Sequence, residues 1–238
     1  MAIINGTIFS DDGNIALPLL GTAAADDLNA NWSLGSDLMM GFAGNDIYRI
    51  NSLFDDVREI AGQGTDTVIT RSANTTLKTN FENLTLDNTA GFLTALNGTG
   101  NSAANVITGN SNSNLLSGVS GNDTINGGAT GTDTMTGGTG GDDFDYNAIN
   151  ESAVGANRDV ITDFAHNSDD IDFSTLDADL NVAGNQAFTF IGNVAFTGAT
   201  GEVRFFTSGA DVIVQLDTQG DGNQNADFEI QLTGAAAV

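Results

Sequence analysis

The sequence predicts an all-β protein that winds as a parallel β-solenoid, and two observations carry this prediction. The first is a repeat of nine or ten residues between Gly100 and Asp145, in which glycines precede an aspartate or asparagine. The second is an apolar residue two positions after each of these Asp or Asn residues. A unit of this length holds a turn and a short strand, and it buries its apolar residue only when copies stack.

The repeat consists of five blocks: GNSAANVIT, GNSNSNLLS, GVSGNDTIN, GGATGTDTMT and GGTGGDDFD. Their Asp or Asn residues are Asn105, Asn114, Asp123, Asp133 and Asp142, and the apolar residues are Ile107, Leu116, Ile125, Met135 and Phe144. The blocks match GGxGxDxUx, a calcium-binding nonapeptide of parallel β-helices. The three residues after each aspartate are too few for a helix but sufficient for a short strand with its apolar residue inside.

The glycines and aspartates of these blocks suit calcium because they supply oxygen ligands in a tight turn. Glycine permits the positive φ that such turns need, and turn carbonyls then join the carboxylates around a cation that takes six to eight oxygens. The glycines that we expect in the metal turns are Gly44, Gly64, Gly118, Gly121, Gly131, Gly137 and Gly140.

The same pattern recurs less regularly between Gly21 and Ile69. Its aspartates are Asp26, Asp37, Asp46 and Asp66, and the apolar residues that follow them are Leu28, Met39, Tyr48 and Val68. Aspartate and glycine also mark ordinary surface turns, which explains any one block. That alternative does not explain nine blocks with an apolar residue at the same offset.

The spacing predicts which aspartates share an ion. Asp26, Asp46 and Asp66 are separated by twenty residues, which we interpret as one coil of two blocks plus small insertions. Sites should therefore join turns one full coil apart and not successive blocks. The predicted pairs are Asp26 with Asp46, Asp46 with Asp66, Asp123 with Asp142, Asp37 with Asp55 or Asp56, and Asp133 with Asn114.

Charge and composition exclude several classes of function. The 238 residues carry a formal charge of −25, which opposes a compact state unless cations bind. Nucleic acid is excluded as a partner, because six Lys and Arg residues cannot neutralise a phosphate track. The sequence has no cysteine, so it has neither disulfides nor a cysteine-based metal site. Without calcium we expect a disordered chain.

The sequence also bears on localisation. It has no stretch of eighteen apolar residues, so we expect no membrane insertion, and its start lacks the pattern of a Sec signal peptide. Calcium is scarce in the cytosol and abundant outside the cell, where modules bind it weakly. A calcium-dependent fold without such a signal needs another export route.

The chain divides into segments of different character. We expect a strand and cap in residues 1–20 and a solenoid in residues 21–145, with calcium arrays in 21–69 and 100–145 and metal-poor coils in 70–99. Residues 146–238 lose the repeat and show alternating strands, which predict a β-rich cap over the end of the coil. Within it, GEVRFFTSGADVIVQLD predicts an antiparallel hairpin that turns at Ser208–Ala210.

With these features in view, the chain resembles the repeats-in-toxin (RTX) family. Beside the nonapeptides, its C-terminal stretches are similar to those of serralysin-type proteases, secreted lipases and alginate epimerases: FDYNAINES, RDVITDF, DDIDFSTLDA, AFTFIG and GDGNQNADFEIQLTG. The resemblance implies a right-handed parallel β-roll with Ca²⁺ between successive turns. It also implies export through type I secretion machinery by an uncleaved C-terminal signal, although LTGAAAV ends earlier than in many members.

Other candidate sites are fewer. Asp217, Gln219, Asp221 and Asn223 place oxygens at alternate positions as in an EF-hand loop, but Phe228 stands where its final Glu belongs. A solvated β-turn explains this loop equally well. Asp159, Asp163 and Asp172 are weaker candidates for a calcium in the cap.

Catalysis has little support in the sequence. The single histidine, His166, lies among acidic residues and is expected at the surface, so neither a zinc protease motif nor a serine triad is available. Carboxylate pairs for polysaccharide chemistry are conceivable, but the calcium pattern already accounts for many of the acids.

Two classes of function remain. The first is a secreted, non-enzymatic calcium-binding protein that self-associates into a surface layer (S-layer), extracellular matrix or filament. The second is the secretion and folding module of an RTX exoenzyme such as a protease, lipase or polysaccharide-modifying enzyme.

Overall fold

The computed structural model describes residues 2–5, 18–29, 36–52, 54–71, 74–87, 97–179, 181–218 and 225–235. Within them almost all regular structure is β, and the helical element described is the 3-10 turn Gly155–Asn157. In chain order the strands of the coil are β1 (Ala2–Asn5), β2 (Leu19–Leu20), β3 (Asp26–Asn29), β4 (Leu38–Met40), β5 (Ile47–Ile50), β6 (Asp56–Arg58), β7 (Thr67–Thr70), β8 (Thr75–Thr76), β9 (Asn83–Leu86), β10 (Gly98–Thr99), β11 (Val106–Thr108), β12 (Leu115–Ser120), β13 (Thr124–Asn126), β14 (Thr134–Thr139), β15 (Asp143–Asp145), β16 (Asp159–Ile161) and β17 (Asp170–Asp172).

These strands form the parallel β-solenoid that the repeat predicts. The odd-numbered strands β1 to β17 make one parallel sheet of nine strands in chain order. The even-numbered strands make the opposite wall, in one sheet of β2, β4 and β6 and a second that includes β8, β10, β12, β14 and β16. Each coil thus contributes one strand to each wall, as expected for two blocks per coil.

The apolar residue of each block stacks on its counterpart in the next coil. On the wall of odd-numbered strands the stack runs through Leu28, Tyr48, Val68, Leu84, Ile107, Ile125, Phe144 and Ile171. On the other wall it includes Leu116, Met135 and Ile161. Ile107, Leu116, Ile125, Met135 and Phe144 are all fully buried. This spine is the core of the coil, because no block can bury its apolar residue alone.

The last part of the chain forms four more strands: β18 (Thr189–Gly192), β19 (Glu202–Ser208), β20 (Asp211–Asp217) and β21 (Phe228–Leu232). Strands β19 and β20 are the predicted hairpin, with Ser208 opposite Asp211. Strand β21 is antiparallel to β20 and parallel to β16, where Leu232 lies opposite Ile161. This C-terminal sheet therefore continues one wall of the coil.

The coil is longer than the segments expected from the sequence. Strands β16 and β17 pair in parallel with β14 and β15, so the solenoid continues to Asp172 and not only to residue 145. At the start, β1 and β2 pair in parallel with β3 and β4, so the described parts of residues 1–20 are coil strands and not a separate cap.

Candidate metal centre

A ladder of carboxylates runs along the edge of the coil where the chain enters the odd-numbered strands. Oδ1 of Asp46 accepts the backbone N–H of Asp26 at 2.8 Å, and Oδ1 of Asp66 accepts that of Asp46 at 2.9 Å. Glu82 takes the next place, since its Oε2 accepts the N–H of Asp66 at 2.7 Å. Each carboxylate thus joins its own turn to the turn one coil earlier.

The ladder resumes in the second array. Oδ1 of Asp123 accepts the N–H of Asn105 at 2.8 Å, and Oδ1 of Asp142 accepts the N–H of Asp123 at 2.9 Å. Asp169, beyond the recognisable repeats, continues the series by accepting the N–H of Asp142 at 3.0 Å. Sequence reasoning missed Asp169 because 27 residues separate it from Asp142.

The opposite edge carries a shorter version of the ladder. Oδ1 of Asp55 accepts the N–H of Asp37 at 3.1 Å. In the second array, Oδ1 of Asp133 accepts the N–H of Asn114, and Oδ1 of Asp159 accepts that of Asp133, both at 2.7 Å. Of the two partners expected for Asp37, Asp55 therefore holds the ladder position.

The structure places every predicted pair of aspartates one coil apart. Asp123 and Asp133, by contrast, lead into β13 and β14, which belong to opposite walls. Asp56, the other partner expected for Asp37, forms ion pairs with Arg58 and Lys78 instead. Each coil of the molecule therefore contains two blocks, as the spacing predicts. That these pairs of residues share calcium ions remains a prediction.

Most of these aspartates have a second carboxylate oxygen that is buried and lacks a hydrogen-bond partner. The atoms are Asp26 Oδ1, Asp46 Oδ2, Asp123 Oδ2, Asp133 Oδ2, Asp142 Oδ2 and Asp159 Oδ2. A buried charged oxygen without a partner is costly, so such a row is not expected in a stable fold unless cations satisfy it. The buried oxygens of these aspartates therefore fit a role as cation ligands.

The first glycine of each block leaves room beside its aspartate. A Cβ on Gly118 would lie 2.1 Å from Asp123 Oδ2 and 2.6 Å from the carbonyl oxygen of Gly137. A Cβ on Gly137 would lie 2.3 Å from Asp142 Oδ2. The carboxylate oxygen and a turn carbonyl of the next coil thus face a shared space that any side chain here would fill.

The later glycines of the blocks bring the backbones of neighbouring coils together. Gly44, Gly121, Gly131 and Gly140 have positive φ, between 113° and 148°. A Cβ on Gly64 would lie 1.8 Å from the carbonyl oxygen of Gly44. The turn thus packs carbonyls near the carboxylates, and an all-oxygen donor set of this kind suits Ca²⁺.

Burial raises the pKa values of several aspartates of the ladder. It raises the pKa of Asp66 and Asp123 to about 6, of Asp159 to about 7 and of Asp133 to about 8. Neighbouring carboxylates act in the same direction, such as Asp142 on Asp123, while the backbone N–H donors of the ladder oppose the rise. Without a cation these four carboxyl groups therefore keep their protons to a higher pH than an ordinary aspartate does.

The two asparagines of the second array differ from the aspartates. Asn105 accepts the N–H of Asn101 and donates its amide to the carbonyls of Phe81 and Glu82, at 3.1 and 3.2 Å. Its hydrogen bonds are therefore made within the protein, and its role as a ligand remains a prediction with less support than that of the aspartates.

Asn114 behaves in the same way, with bonds inside its own turn. Its side chain accepts the N–H of Asn110 at 2.8 Å and donates to Asn110 Oδ1 at 3.2 Å. As for Asn105, ligation of a cation by Asn114 remains a prediction.

Asp163 and Asp172, two of the weaker candidates, each accept backbone hydrogen bonds. Asp163 accepts the N–H groups of Gly137 and Gly138 at 2.9 and 2.8 Å, so it joins the chain after β16 to the coil before it. Asp172 accepts the N–H of Ser174 at 2.6 Å. His166 is exposed, as the sequence predicts.

The EF-hand-like loop is described only in part. Asp217 is buried, with 2% of its surface exposed, whereas Asp221 lies outside the described residues. At the far side of the loop, Asp227 Oδ2 accepts the N–H of Thr218 at 2.8 Å. Calcium binding by Asp217 and Asp221 stays a prediction.

One acidic cluster also includes a residue that the sequence did not single out. Carboxylate oxygens of Asp46, Glu59 and Asp66 all lie within 4.8 Å of one another. Asp46 and Asp66 were expected, but Glu59 falls at a position where the nonapeptide has glycine. The alignment of its coil with the preceding one is the signal that could have found it.

The chain is similar to a family of peptidase C-terminal regions and to a solved structure. The family model described as "Peptidase M10 serralysin C terminal" matches residues 28–238. Among solved structures, the solution structure of a subunit of the mannuronan C5-epimerase from Azotobacter vinelandii is 27% identical, covers 64% of this chain and 79% of that chain, and has a TM-score of 0.42. Among curated proteins no match is found. In the described residues, no helix is long and apolar enough to cross a membrane.

Proposed function

The chain belongs to the peptidase M10 serralysin C-terminal family, and we propose that it is a secreted, non-enzymatic RTX protein that folds on calcium outside the cell. In this proposal it leaves the cell through type I secretion machinery and then self-associates as a structural component of a surface layer, matrix or filament. The row of buried aspartate oxygens without hydrogen-bond partners is the observation that carries the calcium part.

Calcium would be held by aspartates of successive coils together with carbonyls of the glycine turns. On the first edge these aspartates are Asp26, Asp46, Asp66, Asp123 and Asp142, and on the second they are Asp37 and Asp133. The bound cation supplies positive charge to a chain of net charge −25. Because the ligands come from different coils, folding and binding support each other.

The surroundings of the basic residues support a non-enzymatic role. Enzymes that act on acidic polysaccharides need cations free to hold the substrate, and this chain has six Lys and Arg residues, all within the described part. Five of them form ion pairs, namely Arg49, Arg58, Arg71, Lys78 and Arg158. The guanidinium of Arg204 lies over the rings of Phe196 and Phe206.

The two edges of the sheet formed by the odd-numbered strands support self-association. Strands β1 and β17 are its outer strands among the described residues, and an edge strand offers backbone groups to another chain. Beside β17 lies a cleft of about 890 Å³, lined by apolar side chains that include Phe188, Phe190 and Phe205. Phe190 is 67% exposed. Contact between unlike ends would produce open filaments.

Sedimentation of the full chain in calcium and in chelator tests this proposal. We expect a sedimentation coefficient that rises with protein concentration in millimolar calcium, and an extended monomer in chelator. A strictly monomeric species in calcium at high protein concentration would overturn the structural role.

That outcome would favour the second candidate, the secretion and folding module of an RTX exoenzyme. The observation in its favour is the matched family itself, whose description names the C-terminal part of a peptidase. The two candidates share calcium-driven folding and differ in whether the folded chain associates with itself.

A further inference from the structure

The cluster of Asp46, Glu59 and Asp66 differs from the other turns of the coil. Its carboxylate oxygens lie within 4.8 Å of one another. Asp46 and Asp66 are almost completely buried, with 1% and 2% of their surface exposed. Asp46 Oδ2 is buried without a hydrogen-bond partner. A buried oxygen of this kind, facing two further carboxylates, indicates a place for a cation.

The register of the coil explains how Glu59 reaches this place. Met40 lies opposite Arg58 in neighbouring strands, so Glu59 follows in the position that Gly41 holds one coil earlier. A Cβ on Gly41 would lie 2.1 Å from Asp46 Oδ2 and 2.6 Å from Glu59 Oε1. The glycine of one coil therefore makes room for the carboxylate of the next.

Between Asp123 and Asp142 the corresponding position holds glycine. Gly118 and Gly137 begin the blocks of Asp123 and Asp142, and neither contributes a charge. A cation between those two blocks would meet two carboxylates, whereas one between Asp46 and Asp66 would meet three.

Tyr48 positions Glu59. It extends from β5 into the core, where it is fully buried and packs edge-on against Phe81 with ring centroids 5.1 Å apart. Its hydroxyl donates to Glu59 and accepts the backbone N–H of Gly41 at 2.5 Å. A fixed carboxylate loses less freedom when it binds a cation than a mobile one does.

We propose that Asp46, Glu59 and Asp66 form a three-carboxylate calcium site that binds more tightly than the glycine-and-aspartate turns and fills first. The inference rests on the proposed function, because it assumes that these turns bind calcium. Affinity of oxygen sites for calcium rises with the number of charged ligands and with the rigidity of the site. Both are greater here than between Asp123 and Asp142, so this site should fill at calcium levels that leave the site of Asp123 and Asp142 empty.

Terbium luminescence can test the site, because Tyr48 is a sensitiser in contact with a ligand. The sequence holds two tyrosines, Tyr48 and Tyr146, and one tryptophan, Trp32, so the full-length chain is prepared with Trp32→Phe to leave tyrosine as the donor. Terbium is added to calcium-free protein and then displaced with calcium. We expect tyrosine-sensitised emission with the first equivalent, and loss of that emission in Tyr48→Phe while calorimetry still detects binding.

Two changes at Glu59 measure its contribution. Glu59→Gln removes one charge, and Glu59→Gly restores the glycine of an ordinary block and so keeps a turn that the coil accepts elsewhere. Both should weaken the first calcium equivalent by about tenfold or more while the later equivalents stay unchanged. Asp170→Asn, at an exposed position of β17, removes a charge outside the turns and should leave the first equivalent as in the parent.

The outcomes separate this inference from the proposed function. If the parent protein binds no calcium, the proposed function fails. If it binds calcium but Glu59→Gly has the same first affinity as the parent, or the first emission survives Tyr48→Phe, the three-carboxylate site is wrong while calcium-driven folding stands. Should Glu59→Gln fail to fold, Glu59→Gly and Tyr48→Phe still decide.

Discussion

Asp142 Oδ1 accepts the backbone N–H of Asp123 at 2.9 Å across 19 residues of sequence, while Asp142 Oδ2 is buried without a partner. One carboxylate therefore has two functions in the coil. Its first oxygen joins neighbouring turns of the folded coil, and its second offers a ligand that only a cation can satisfy. This division would let the same residues set the register of the coil and couple its stability to calcium.

Removal of calcium should unfold most of the coil. Each site at ten times its Kd contributes about 1.4 kcal/mol of stability, so several sites together approach the whole stability of a domain. Circular dichroism in excess chelator should show the loss of β-structure, with recovery when calcium is added. A strand signal that chelator leaves intact would contradict the proposal.

Substitutions at Asp142 should separate its two functions. Asp142→Asn keeps an oxygen for the N–H of Asp123 but loses the charge, so it should be less stable than the parent in calcium. Asp142→Ala also removes the acceptor and should cost a further 1–3 kcal/mol or so. Urea denaturation in calcium measures the difference. Equal behaviour of the two variants would show that the ladder bond contributes nothing.

Gly118→Ala should disrupt the calcium turn by steric conflict. Its Cβ would lie 2.1 Å from Asp123 Oδ2, and overpacking of this kind costs about 1–3 kcal/mol. Gly62→Ala is the matched control, since no atom lies within 4 Å of its Cβ and only its φ of 73° opposes alanine. We expect calcium affinity by calorimetry to fall in Gly118→Ala and to stay near that of the parent in Gly62→Ala.

Stability should depend on pH in opposite ways with and without calcium. The folded pKa values of Asp123, Asp159 and Asp133 are raised to about 6, 7 and 8 from an ordinary value of 3.8. Between pH 4 and pH 8 the calcium-free fold therefore binds more protons than the unfolded chain, and its stability falls as pH rises.

In calcium the same groups must release their protons to bind the cation, so calcium affinity should rise with pH over that window. Circular dichroism in chelator at pH 5 and pH 8, and calcium titrations at the same two pH values, check both signs. A chain in chelator that has more β-structure at pH 8 than at pH 5 would show that these carboxyl groups are not protonated on burial.

The repeat made the coil and much of the site predictable. Because each block carries its own turn, strand and apolar residue, the spacing of Asp26, Asp46 and Asp66 specifies two blocks per coil without any long-range information. The antiparallel hairpin of β19 and β20 was predictable for the same reason, since its two strands are joined by a short turn.

Positions outside the regular spacing were not predictable. Glu82 and Asp169 occupy ladder positions after intervals of 16 and 27 residues, which no fixed period would find. Glu59 stands where the nonapeptide has glycine, and its place beside Asp46 depends on the register of two coils.

The sequence by itself determined the parallel coil, its apolar spine and the one-coil spacing of its aspartates, because blocks that repeat a local pattern stack in register. Only the tertiary structure decided where the coil ends, how β21 pairs with β16, and that Tyr48 and Glu59 come together beside Asp46. Those features depend on insertions of unequal length and on contacts between distant residues, and neither leaves a periodic mark in the chain.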